Sequence, residues 1–267
     1  MSEQQTTELT PIEEKRQLIQ SYEAEFAKVV PDTIGAKRFT RIALTALSKN
    51  PDLVDCDRMS LLGAIMEAAQ QGLEPNTAKG HSYLVPFKGI VTYIPGYQGL
   101  KELAYDTGKV KSVRARIVYF GDGWKILQGD EERYVHEPCM EFSKRGDPIG
   151  AYAIVELVGG GVLRDFMYFE EIEETRPAHT KQGTKSYIPN TPWKNHWDEM
   201  ARKTVFRRCL KYAPLSDRLS QAIHSDELAS RGGSLKFDPD MGEVVDVEAN
   251  PPAVEKPAEA ASPEALG

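Results

Sequence analysis

Residues 71–87 read QGLEPNTAKGHSYLVPF. Just upstream, DRMSLLGAIMEAAQQG has helical spacing, an N-cap at Asp57 and a glycine stop at Gly72. Pro75 forbids the helix from resuming, and a polar loop with Lys79 and His81 leads into the apolar, aromatic HSYLVPF. That segment and GIVTYIPG are short and β-branched, with KG between them, which predicts a hairpin. The hydrophobic period therefore changes from helix to strand across one loop, and the chain is read as α+β.

Working outward, PIEEKRQLIQSYEAEFAKVV predicts a helix ending near Pro31, and TIGAKRFTRIALTALSK a second one closed by the NPD turn. Beyond the hairpin, YQGLKELAYDTG returns to helix. KVKSVRARIVYF, GWKIL, ERYVHE, IGAYAIVELVGG and GVLRDFMYF then read as successive strands of a small antiparallel sheet. A long polar loop covers residues 175–192, a long basic helix is expected over 193–212, and a shorter helix over 216–224. This gives an N-terminal helical, partly disordered extension (1–30), a core (31–225) and a disordered acidic tail (226–267).

Charge follows the same division. Of 33 Lys+Arg and 40 Asp+Glu, residues 226–267 hold 3 and 10, so the tail carries the whole net charge of -7 and the body is neutral. A neutral body can still present a basic groove, so acidity does not exclude nucleic acid. No apolar run is long enough to span a membrane and the N-terminus lacks a signal-peptide layout, so a cytoplasmic location is expected. Cys56, Cys139 and Cys209 are too few and too scattered for a disulfide framework or a CxxC metal site.

Catalytic signatures are missing. GLEPNTAKG is followed by a strand, not by Ser/Thr and a helix, so it is no phosphate loop, and neither HExxH nor GxSxG occurs. Glu170, Glu171, Glu173 and Glu174 are a candidate metal cluster, but such a run also reads as a solvated helix start. The five histidines are scattered. No cofactor and no enzymatic activity are expected, and the alternative kept open is a metal-dependent nuclease with dispersed acidic ligands.

Cations and rings fall together in three places. At 100° per residue, Lys203, Arg207 and Lys211 form one stripe of the basic helix with Arg208 beside it, and Trp193 and Trp197 continue it upstream. Lys37, Arg38 and Arg41 share one side of the second helix. In KVKSVRARIVYF, Lys109 and Lys111 have one parity and Arg114 and Arg116 the other. Phosphate-neutralising charge beside rings is what single-stranded nucleic acid requires. Both tryptophans also fit a core reading, as do Tyr93 and Tyr97 around IPG.

GLEPNTAKGHSYLVPF, YIPGYQGLKELAYDTGKVKSVRARIVY and PWKNHWDEMARKTVFRRCLKY, in that order, resemble the RecT family of single-strand annealing proteins of phages and prophages. The resemblance spans residues 33–225. It implies single-stranded DNA binding, oligomerisation into a ring or filament on DNA, and annealing in homologous recombination without ATP. It also implies a phage exonuclease and a host single-strand-binding protein as partners. On that reading the loop at Asn76, Thr77, Lys79 and Gly80 grips phosphates, with Tyr93 and Tyr97 on bases. Its bland counterpart is a connector that only fixes the fold.

Overall fold

The structure is a computed structural model and describes residues 9–177, 180–181 and 191–248. Its first three helices are α1 (Pro11–Ser21), α2 (Glu23–Val29) and α3 (Ala36–Lys49). The single helix expected up to Pro31 is broken at Tyr22, whose backbone leaves the helical region and whose ring packs edge-on against Phe237 at 5.2 Å. With Ile19 and Phe26 fully buried, α1 and α2 belong to the core and are not a loose extension.

Helix α4 (Arg58–Gln71) is buried at 11 of 14 positions, and a helix apolar around most of its circumference has to be enclosed. Asp57 accepts from the Ser60 amide at 2.8 Å, and Gly72 ends the helix at φ 69° while the Leu73 amide donates back to the Ala68 carbonyl at 3.0 Å. The expected hairpin follows as β1 (Ser82–Phe87) and β2 (Ile90–Pro95). The loop before it is stitched from within: the Asn76 side chain accepts from the Leu84 amide at 2.9 Å and its own amide donates to the Ser82 carbonyl.

The second half begins with α5 (Tyr97–Asp106), β3 (Val110–Tyr119), β4 (Gly123–Leu127), β5 (Arg133–Glu137), β6 (Pro148–Leu157) and β7 (Val162–Tyr168). All five expected strands exist, divided between an antiparallel sheet β3-β6-β7 and a separate β4–β5 hairpin. The hairpin lies over the outer face of the sheet, where Trp124 stacks on Tyr152 at 5.0 Å. Asp122 anchors it: Arg145 and His136 bond its carboxylate, and the Arg145 guanidinium holds that carboxyl well below the usual carboxylate range.

After α6 (Phe169–Thr175) come α7 (Pro192–Asn195), α8 (Trp197–Leu210) and α9 (Asp217–Ser230). The long basic helix expected over 193–212 is interrupted at His196, φ -141° and ψ 50°, so Trp193 is not on the same helix as the cations. Helix α8 packs on the inner face of the sheet and forms one core with Ala115, Ile117, Ala153 and Met167.

The expected boundary at Ser225 falls inside α9. Beyond it, β8 (Ser234–Asp238) and β9 (Glu243–Val247) form a hairpin on α4, with Leu228, Leu235 and Phe237 buried. Residues 226–248 are therefore part of the fold, because SLKFD supplies the apolar cover that α4 needs on that side. The remainder of the expected tail lies outside the described residues, as do His179 and residues 182–190 of the polar loop. Among the described residues no helix is long and apolar enough to cross a membrane.

Candidate nucleic-acid interface

Strand β3 carries the basic surface, and an irregularity in it decides which way the cations face. Val110 pairs with Leu157 and Ser112 with Glu156, so Lys111 is an extra residue with no partner opposite, a β-bulge. Before the bulge Val110 points inward; after it Ala115 and Ile117 do. The parity switch leaves Lys111, Arg114 and Arg116 exposed on one face, although strict alternation would have split them. Arg116 stands opposite Tyr152, and Arg114 opposite Ile154, which is opposite Arg164 in turn, so the outer face joins cations to an aromatic cluster. Arg114 pairs with Glu156 at 2.7 Å, while Lys109, Lys111 and Arg116 have no ion-pair partner among the described residues.

On α3, Lys37 and Arg41 are exposed and likewise unpaired among the described residues. Arg38 reaches Glu74 at 2.6 Å, and Lys79 reaches the same carboxylate at 3.4 Å. Both cations are about half exposed, so the 73–80 loop presents charge while tying α3 to the hairpin.

The α8 cations are placed differently. Lys203 is buried and bonds Asp226, which also accepts from Arg207 at 2.6 Å. Burial pushes the Lys203 ammonium below its ordinary pKa, against the opposing pull of Asp226. Arg208 forks onto Asp165 with two bonds of 2.7 Å, reaches the Phe166 carbonyl at 2.6 Å, and is raised in pKa by the Asp165 bond. Lys211 pairs with Glu227 and stays exposed. The stripe exists, but α9 and β7 supply a carboxylate for each member, because α8 has the sheet on one side and α9 on the other.

The aromatic candidates also divide. Tyr93 is 1% exposed and donates to Gln71 at 2.8 Å, which makes it a core residue. Tyr97 is half-buried, edge-on to Phe206 at 5.3 Å. Trp193 is buried, and Trp197 donates its indole N–H to Glu173 at 2.8 Å. The residues sequence reading missed are Tyr152, Trp124 and Arg164. For Tyr152 and Arg164 the signal was the alternation of IGAYAIVELVGG and GVLRDFMYF, whose polar-side members face the same way as Arg114 and Arg116; Trp124 reaches Tyr152 from the separate β4–β5 hairpin.

The acidic run after β7 is used structurally. Glu171 accepts from the Tyr168 amide at 2.8 Å and pairs with Arg208, and Glu173 holds Trp197 and Arg176. No group of three or more His, Cys, Asp or Glu placed to hold a metal ion occurs among the described residues.

Fold and surface together define an α+β protein that displays a basic strand face beside aromatic rings. The sequence model of the RecT family matches residues 37–240. The chain is 37% identical over 215 residues to Protein RecT of Escherichia coli (strain K12), covering 78% of this chain and 77% of that protein. It is 29% identical over 228 residues to the uncharacterized protein YqaK of Bacillus subtilis (strain 168), covering 83% of this chain and 75% of that one. The chain belongs to the RecT family, and with it to the recombination proteins.

Proposed function

We propose that this protein binds single-stranded DNA and anneals complementary strands without ATP, acting as an oligomer on the DNA in the cytoplasm. The observation that carries the reading is the bulge at Lys111, which turns Lys111, Arg114 and Arg116 onto one outer face beside Tyr152. Lys109 leads into that face, and Lys37 and Arg41 on α3 extend the proposed contact set. Phosphates neutralised on this surface leave base edges free to test a second strand. Each matched step then contributes about 1.4 kcal/mol of pairing and stacking, which drives annealing without a nucleotide fuel.

A duplex growing across neighbouring subunits would hold them together head to tail, in a ring or filament. The role is non-enzymatic, and an exonuclease that exposes the strand and a host single-strand-binding protein are its natural partners. The test is annealing of two complementary fluorophore-labelled oligonucleotides without ATP, followed by energy transfer, with non-complementary strands as control. Acceleration that depends on complementarity is expected; binding without acceleration would reject the annealing role.

A further inference from the structure

A cavity of about 320 Å³ lies between the β1–β2 hairpin, α7–α8 and the end of α9. That is at the small end of the roughly 300–1,000 Å³ usual for ligand sites. Phe87, Trp193 and Met200 contribute apolar and aromatic wall, and exposed Val85, Pro192 and Gly232 mark where it meets the surface. Two features point to a ligand. Lys203 and Arg207 both line it and share the single carboxylate of Asp226, so this end holds two cations against one anion. The Thr191 hydroxyl, on a residue 7% exposed, also lines it and has no hydrogen-bond partner among the described residues.

An unpaired buried hydroxyl has lost its water without replacement, so a group that satisfies it is favoured. Around the mouth, Lys88, Lys194 and Arg231 are exposed, none in an ion pair among the described residues, and each is one residue from a lining residue. Lys88 sits over the Phe87 ring at 5.2 Å.

We propose that this cavity is a subsite for one nucleobase of a bound single strand, with its phosphate at Lys203 and Arg207. The base edge meets Thr191 and its ring lies against Trp193 and Phe87. Arg207 donates to Asp226 and Ser230 through Nη1, which leaves other guanidinium donors for a phosphate oxygen. The subsite rests on the annealing reading, and it accounts for three residues of the sequence-derived set, Trp193, Lys203 and Arg207, that are not on an open surface.

The test compares the affinity of the full-length protein for oligothymidine and for an abasic strand of equal length and charge. It is repeated for Ala229→Phe, which fills the cavity from α9, and for the near-isosteric Thr191→Val. Wild type should prefer the thymidine strand, and Ala229→Phe should cut that preference roughly tenfold, the lower end of what one stacked base contributes. Thr191→Val should lower it in the same direction. A preference unchanged in both variants overturns the subsite while leaving strand binding intact. Tight binding of thymidine monophosphate with no effect of either variant on the strand would make the cavity a free-nucleotide site and also overturn it. Failure of wild type to bind either strand would overturn the annealing reading itself.

Discussion

The Arg207 guanidinium of α8 donates to the Asp226 carboxylate of α9 at 2.6 Å, and Lys203 bonds the same carboxylate. All three side chains are largely withdrawn from solvent, and they join the core around α8 to the helix that carries β8–β9 back to α4. Removing the anion leaves two desolvated cations facing each other. Asp226→Asn should therefore cost about 3–5 kcal/mol, read as a lower midpoint in urea unfolding. A decrease within the scatter of surface substitutions would mean the ion triad does not hold the helices together.

The exposed cations of β3 should behave in the opposite way. Lys109→Ala with Lys111→Ala removes charge that no carboxylate among the described residues claims, so folding stability should hardly change. Binding to single-stranded DNA should weaken, and the slope of log affinity against log salt should fall by about 0.7 for each phosphate no longer neutralised. Titration across a salt series measures it, and an unaltered slope would take β3 out of the DNA path. Arg207→Ala with Lys211→Ala should lower stability as well as DNA binding, since both side chains are also paired with α9.

Sequence pattern carried α3, α4, α5, the hairpin and all five middle strands, because each has its own period and its own stop, such as Asp57, Gly72 and KG, whereas the breaks at Tyr22 and His196 divide two helices that read as continuous. What it did not carry was decided by tertiary contact. The bulge at Lys111 is one unpaired residue, invisible to strict alternation, yet it sets the facing of three cations. Helical projection placed Lys203 and Arg207 correctly on one stripe, but nothing local says that Asp226 covers them. That carboxylate stood in what reads as an acidic tail, and composition cannot distinguish a tail residue from one that the fold employs.

Glu67 gives a pH dependence. It is 7% exposed, accepts from Gln71 and Ser225 at 2.7 Å each, and burial raises its pKa above the ordinary 4.5 despite those bonds. A carboxyl with a raised folded pKa favours the protonated form in the native state, so its contribution to stability falls as pH climbs from the unfolded value through the folded one. Glu67→Gln keeps an acceptor for both donors and removes the charge. The variant should gain on wild type as pH rises from about 4 to about 8 in denaturant unfolding, with the gain vanishing at the acidic end. A constant difference across that range would show that Glu67 titrates alike in both states.

Gly63 lies where β8 crosses α4, and a Cβ there would stand 2.7 Å from the Lys236 carbonyl carbon and 2.8 Å from the Phe237 amide nitrogen. Those are backbone atoms, which cannot swing aside as a side-chain end would. Alanine is the better helix former by about 1 kcal/mol, so propensity alone predicts that Gly63→Ala stabilises α4. Overpacking against fixed backbone costs typically about 1–3 kcal/mol, and the close approach predicts a net destabilisation instead. Thermal unfolding gives the sign, and amide hydrogen exchange should place the weakened protection in β8 and β9, with Leu235 and Phe237 drawn from their buried positions. A raised midpoint with β8 still protected would mean that the hairpin is not seated on α4. The same packing fixes where the chain can be cut: ending it after residue 248 retains the cover on α4, whereas ending it after residue 230 exposes that face and should yield an unstable protein.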